Sequence, residues 1–405
     1  MKIGSYKISL LLLLGVAIVA RFSCVILSNL PFFSMNFIFL YGLTFIFVFF
    51  LSYFKISKID CLALFFLFCY TFYISIVTIP FYGQIFNNQV FNACIMIFLY
   101  FIYLYTKKLN LKHKITISKF AFLGYLFTWF YSIFKLLQDP TLSRRMAATK
   151  VVSEIDTLGG VGGFDTVYGS ILVLCIMIYL LQEKSKINKS ILIFSITSCV
   201  LFLILSSYAT ALVLMLVLFS IYLLKKNKIY FVLISVLFII LFINRIEIGY
   251  WVSSISHNFN FSEILSEKIN EIGQILSTGQ SAGTLSGDDG RIARMGWSLH
   301  TFFKYPLFGG LLHSDGIIGY HSEFFDMLGR YGIVGSGLFL GFFILFMKSV
   351  YNEIKSNIGK KCFYTVIFLF ICISILNPSL YTQEILPLFI LLPTFDFFIQ
   401  KGDFK

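Results

Sequence analysis

The residues best suited to chemistry gather in two polar stretches between apolar runs. The first reads QDPTLSRRMAATKVVSEIDTLGGVGGFD, at about 138–165, and offers Arg144, Arg145 and Lys150 ahead of a glycine-rich turn and Asp165. Backbone amides of such a turn, with a helix N-terminus, can cradle an anion. The second, at about 247–330, carries Arg291 and Arg294, then His313 and His321, then Glu323, Asp326 and Arg330. Arg291 and Arg294 are three apart and so share a helix face. Asp288 and Asp289 precede them, where carboxylates suit a helix N-terminus or pair with the arginines. Histidine takes or gives a proton near neutral pH, and guanidinium binds phosphate or carboxylate through a planar fork. Together these groups suit transfer chemistry on an anionic substrate. No H-x-x-x-H or H-E-x-x-H spacing is present, so no metal ion or other cofactor is expected. The plain alternatives are a basic pair on a surface loop for Arg144 and Arg145, and a helix-capping role for either histidine.

The elements that must position these groups are apolar. With 58% hydrophobic and 13% charged residues and a mean hydropathy of +0.88, the chain is too apolar for a soluble domain. Apolar runs near one bilayer thickness recur along it. They predict twelve spans, at about 8–28, 34–54, 60–80, 86–106, 116–137, 166–182, 190–207, 209–224, 229–246, 331–347, 362–377 and 381–399. The pair at 190–224 is joined by the very short turn SSYAT. The run ISLLLLLGVAIVA has the character of a signal-peptide core, and the spans that follow favour a retained helix. The predicted organisation is five spans in 1–137, an outer loop at 138–165, four spans in 166–246, a large outer loop at 247–330, and three spans in 331–405. Within the large loop, NFNFSEILSEKINEIGQIL has helical periodicity with a capping box at Asn260 and Glu263. RIARMGWSLHTFFKY predicts a second, amphipathic helix, which contains Trp297 and His300 and ends at Pro306.

Lysine-rich short loops alternate with lysine-poor ones, which puts both termini in the cytoplasm. The net charge of +13 is then a topology signal and calls for no nucleic-acid partner. Twenty-one lysines and no arginine fall on cytoplasmic segments. All seven arginines lie elsewhere: Arg21 inside the first span, and Arg144, Arg145, Arg245, Arg291, Arg294 and Arg330 on or near the outer face. That split predicts an outward-facing anion site. Arg21 is a charge within an apolar helix and so a functional candidate, with Glu384 as its candidate partner. The eight cysteines lie in or at the edge of apolar helices and read as small hydrophobes. There is no P-loop, no G-x-G-x-x-G after a strand, and no cytosolic stretch long enough for a nucleotide-binding domain. A phosphate-bearing substrate must therefore arrive in or through the membrane.

The stretch GRIARMGWSLHTFFKYPLFGGL, followed by HSEFFDMLGRYGIVGSG, resembles the signature loop of the O-antigen polymerase and O-antigen ligase superfamily. Its pattern there is G-R, a tryptophan some residues on, P-L-F-G-x-G, then H-N-x-x-L-x-x-L-x-x-x-G-I-x-G opening a helix. This chain has PLFGGL in the third part and Ser322 where asparagine is usual. SRRMAATK followed by GGFDTVYG also resembles capsular and O-antigen polymerases. The resemblance implies a multi-span glycosyltransferase of the C type in the bacterial cytoplasmic (inner) membrane. It would act without metal on undecaprenyl-pyrophosphate-linked oligosaccharides, alongside a flippase and a chain-length regulator of the same pathway. Arg291 matches the loop arginine that holds pyrophosphate, and His321 matches the catalytic histidine. Arg144 and Arg145 match first-loop arginines, and Arg294 and Arg330 complete the candidate pyrophosphate ligands. An O-antigen ligase, with lipid A core as acceptor, is the nearest alternative. A lipid-linked oligosaccharide flippase is the other, although it would be expected to have short loops throughout.

Overall fold

The computed structural model describes residues 2–52, 55–85, 87–109, 111–139, 142, 161–183, 185–206, 208–226, 243–258, 266, 269–270, 273, 277, 291–378, 380 and 382–399. Among these the regular structure is helical throughout, with a single isolated β-bridge between Ser185 and Ile399. The helices are α1 (Lys2–Ser23), α2 (Met35–Leu51), α3 (Lys58–Val77), α4 (Asn88–Lys108), α5 (Leu111–Gln138), α6 (Phe164–Gln182), α7 (Lys189–Ser206) and α8 (Ala209–Lys226). They continue with α9 (Arg245–Asn258), α10 (Arg291–Lys304), α11 (Glu323–Glu353), α12 (Asn357–Leu376) and α13 (Thr382–Leu386).

Seven of the described helices are long and apolar enough to cross a membrane: Lys58–Val77, Asn88–Lys108, His113–Gln138, Phe164–Gln182, Lys189–Ser206, Glu323–Glu353 and Asn357–Leu376. The protein is thus an all-α, multi-pass membrane protein. Met35–Leu51 and Thr210–Leu223 are shorter apolar helices. The ninth expected span, 229–246, lies mostly outside the described residues. α4 and α6 are buried nearly all round, whereas α3, α7 and α11 expose phenylalanine and leucine on one side. That division fits a bundle with two central helices and an outer ring facing lipid.

The last expected span, 381–399, departs from a straight crossing. Its helical part, Thr382–Leu391, is only a short apolar helix, about 15 Å at ~1.5 Å per residue, or half a hydrocarbon core. Pro387 has no N–H, and the Leu392 N–H reaches back five residues to the Pro387 carbonyl at 2.9 Å, which widens the helix into a π turn. The described residues from 383 to 398 are almost all buried against the bundle. An apolar segment enclosed by protein has the same composition as one enclosed by lipid.

At the lysine-rich end a polar clamp ties three helices together. Asp60 of α3 pairs with Lys107 of α4 at 2.9 Å and accepts from Ser349 of α11 at 2.5 Å. Ser57 Oγ donates to the other Asp60 oxygen at 2.6 Å. Such a buried pair fixes helix register at that end. The eight cysteines are all free thiols.

At the opposite end α11 is broken at Gly332, whose φ of 61° and ψ of −164° is a glycine conformation. Beyond the break, Ile333 to Glu353 rises about 32 Å, about the thickness of one hydrocarbon core. The amides of Ile333 and Val334 donate to the carbonyls of Pro306 (2.8 Å) and Leu307 (3.1 Å). The Tyr73 hydroxyl bridges the Phe308 and Tyr331 carbonyls at 2.9 and 3.0 Å. PLFGG is therefore a strap across the kink, and Gly309, at φ 80°, lets it lie against the Arg330 carbonyl. Gly332→Ala would add about 1–3 kcal/mol of backbone strain and bring a methyl to 2.5 Å from the Leu307 oxygen. It is expected to lower the thermal midpoint of the detergent-solubilised protein by several degrees. Gly337→Ala, where a methyl meets nothing within 4 Å, should leave it unchanged.

Candidate functional site

The site is built by α10, the turn 316–322 and the first two turns of α11. α10 forms where the sequence predicts a helix and ends one residue before Tyr305-Pro306, since the residue preceding proline is biased out of helix. Arg294, Ser298 and Thr301 fall on one face of it, at helical spacing. Each reaches across to the following turn. Thr301 Oγ1 donates to the Ile317 carbonyl at 2.6 Å and accepts from the Ile317 amide at 3.1 Å. Ser298 Oγ accepts from the Gly319 amide at 2.9 Å and donates to Asp326 at 2.5 Å. Arg294 Nη1 lies 2.5 Å from His321 Nε2.

The Arg294–His321 contact sets the histidine tautomer. A guanidinium has only donors, so the Nε2 facing it must carry the lone pair, and a neutral ring then has its proton on Nδ1. Gly319 is required at its position, because a Cβ there would sit 2.0 Å from the Arg294 carbonyl oxygen.

Asp326 organises the turn that presents His321. It is fully buried, and its carboxylate accepts from the amides of Tyr320 (3.2 Å) and Ser322 (3.1 Å) as well as from Ser298. Arg330 Nη2 lies 3.5 Å away. Tyr320 has φ 58°, a left-handed conformation that a non-glycine residue keeps only where its neighbours over-determine it. Here two amides bound to one carboxylate do so. Burial pushes the Tyr320 hydroxyl up to about 12, so it stays protonated at neutral pH. Ser322 caps α11, accepting from the Phe325 amide at 3.4 Å and donating to the Ser374 carbonyl of α12 at 3.2 Å. Serine and asparagine are comparable helix caps, so Ser322 does the local work that asparagine would do.

Arg330 is buried, 3.9 Å from Glu323 and 3.5 Å from Asp326, with its guanidinium 4.8 Å over the Tyr320 ring. Two carboxylates therefore meet its one charge. His313 stacks on Tyr305 at 3.7 Å, beside the Lys304–Asp315 ion pair. Hydrogen bonds from Lys304 and Tyr305 hold the Asp315 carboxyl down at about 2. This second histidine belongs to the strap side of the loop.

Of the candidate residues, Arg294, His321, Asp326 and Arg330 are brought into one connected cluster. The backbone of Arg291 opens α10, three residues before Arg294, while its side chain is outside the described residues, as are Arg144 and Arg145. Arg21 donates to the Phe33 carbonyl at 2.9 Å. Glu384, the expected partner, is buried on α13. Ser298 was missed as a connector, and the signal for it was its spacing of four from Arg294. Among the described residues, no three His, Cys, Asp or Glu side chains group closely enough to hold a metal ion. No family model and no curated protein matches this chain.

Proposed function

We propose that this protein is a glycosyltransferase of the bacterial cytoplasmic membrane that polymerises undecaprenyl-pyrophosphate-linked oligosaccharide repeats at the outer face. The product would be an O-antigen or capsular polysaccharide. The observation that carries this reading is the Arg294–His321 pair, held by a turn wrapped around buried Asp326 at the membrane edge of α11.

A lipid-linked pyrophosphate leaving group gathers negative charge as the sugar departs. A fixed guanidinium aimed at that charge lowers the barrier most when it needs no reorganisation. Arg294 is fixed in this way by its contact with His321. Arg291, one turn earlier on α10, would add a second cation, and Arg144 and Arg145 would join from the first outer loop. His321 orients Arg294 and can itself donate from Nδ1 to a phosphate oxygen. No metal is required to neutralise the leaving group in this scheme. The partners it implies are the lipid-linked substrate, the flippase that delivers it and a chain-length regulator.

The test is a polysaccharide gel of cells lacking the gene, beside cells rescued with the wild type. For a Gram-negative envelope the reading predicts lipid A core bearing a single repeat, and a full ladder on rescue. If no repeat reaches the core, the polymerase reading fails; lipid-linked polymer accumulating on the outer leaflet would then assign the chain as the ligase, and its absence would favour a flippase.

A further inference from the structure

α5 and α6 are joined at one level and part at another. Trp129 Nε1 of α5 donates to Ser170 Oγ of α6 at 2.7 Å. From there toward the lysine-rich end the two helices enclose a cavity of about 420 Å³. α7 packs against both helices, and so does the buried segment that starts at Pro387. The walls are apolar along most of their length. Phe122, Leu123 and Leu126 of α5 and Ile176, Met177 and Leu180 of α6 line them, each set at the spacing of one helix face. Leu123 and Ile191 at the rim are exposed, whereas Val173 and Leu391 behind them are buried. The opening therefore faces lipid.

The polar wall residues gather at the lysine-rich end: Lys119 on α5, then Lys186 and Asn188 in the connection to α7. Both lysines are exposed, and among the described residues neither makes an ion pair. Lys186 Nζ donates to the Phe397 carbonyl at 3.0 Å, which holds its ammonium at the rim. Asn188 Oδ1 accepts from the Ser190 amide at 2.9 Å, so its NH2 group is the part that can donate outward. Lys119 lies within the apolar span His113–Gln138, where a cation without a counter-charge is costly.

We propose that this cavity binds one anionic glycerophospholipid of the leaflet at the lysine-rich end, its acyl chain between α5 and α6 and its phosphate held by Lys119 and Lys186. An apolar cavity of this size offers water too few polar partners, and packed interiors leave few voids larger than a water molecule. An acyl chain from the bilayer fills it at no cost in hydrogen bonds. A chain alone would call for no lysines. Two ammoniums and an amide donor at the mouth select a phosphate head, as basic pockets between membrane helices do. A free phosphate ion would leave the apolar walls empty. The site is at the end of the bundle opposite the Arg294–His321 pair and does not depend on the chemistry there.

Trp129, one turn beyond the Leu126 wall, reports on occupancy. The chain has three tryptophans, so the full-length protein with Trp251→Phe and Trp297→Phe keeps Trp129 alone. In detergent micelles, phosphatidylglycerol brominated midway along one acyl chain is expected to quench it as a single saturable site. Phosphatidylcholine with the same chain should need about thirtyfold more lipid. Each lysine near an anionic headgroup is worth about a factor of five. Lys119→Gln should therefore lower the preference about fivefold, and Lys119→Gln with Lys186→Gln should abolish it. Both positions are exposed, so neither change should disturb folding. If the tryptophan replacements prevent folding, mass spectrometry of the lipid retained by the wild type from an equal mixture gives the same comparison. Equal binding of the two lipids, no quenching or retention, or a preference unchanged in the double lysine variant overturns the proposal. So does displacement of the brominated lipid by polyprenyl phosphate at lower concentration than by unlabelled phosphatidylglycerol, which would give the cavity to a polyprenyl lipid.

Discussion

Arg294→Lys is expected to lower sugar transfer by about 10²- to 10³-fold, the loss seen when one fixed donor to a developing oxyanion is removed. The substitution keeps the charge and removes the fork. Arg294 meets His321 through a planar fork of donors, whereas lysine offers one ammonium that cannot hold two partners in one plane. His321→Ala should cause a loss of similar size, because it frees the guanidinium to rotate. The double variant should be little worse than either single one, as residues acting as a unit are strongly non-additive. Rates of ladder formation in membranes matched for protein amount measure all three. Losses that multiply in the double variant, or wild-type rates in Arg294→Lys, would separate the two residues from a common function.

Asp326→Ala should unfold the site and destabilise the protein by about 3–5 kcal/mol, the range for breaking a buried ion pair from one side. The change leaves Arg330 buried with Glu323 alone at 3.9 Å, and it strips the Tyr320 and Ser322 amides of their acceptor. Tyr320 then has nothing to hold its left-handed backbone. Asp326→Asn, nearly the same shape, should fall between wild type and alanine. Thermal unfolding of the solubilised protein reads the effect; an unchanged midpoint for Asp326→Ala would mean that the carboxylate does not organise the turn.

Much of this architecture was legible in the residues. The spacing of RIARMGWSLHTFFKY and its stop before Pro306 describe α10 as it stands, and the arginines, His321 and the acids of α11 were visible as one polar cluster. The predicted helix around Ile269 is helical at its described positions 266, 269–270 and 273. Other features were hidden for physical reasons. Tyr70, Gln89 and Asn92 line a small cleft with Glu323 and Arg330 from helices more than 200 residues earlier in the chain, and apolar periodicity does not say which helices become neighbours. Gly332 looked like one glycine in a continuous helix, since the amides freed after it are satisfied by the strap carbonyls of Pro306 and Leu307, each 27 residues earlier in the chain than its partner.

The most direct test of the central claim is transfer by the purified chain alone. The full-length protein in nanodiscs, treated with EDTA and given a lipid-pyrophosphate-linked oligosaccharide as its only substrate, should yield a ladder of longer lipid-linked chains. Each bond formed should release one equivalent of free lipid pyrophosphate, and Arg294→Lys should suppress both signals together. Intact substrate after prolonged incubation with wild-type protein, with and without added divalent metal, would contradict the account.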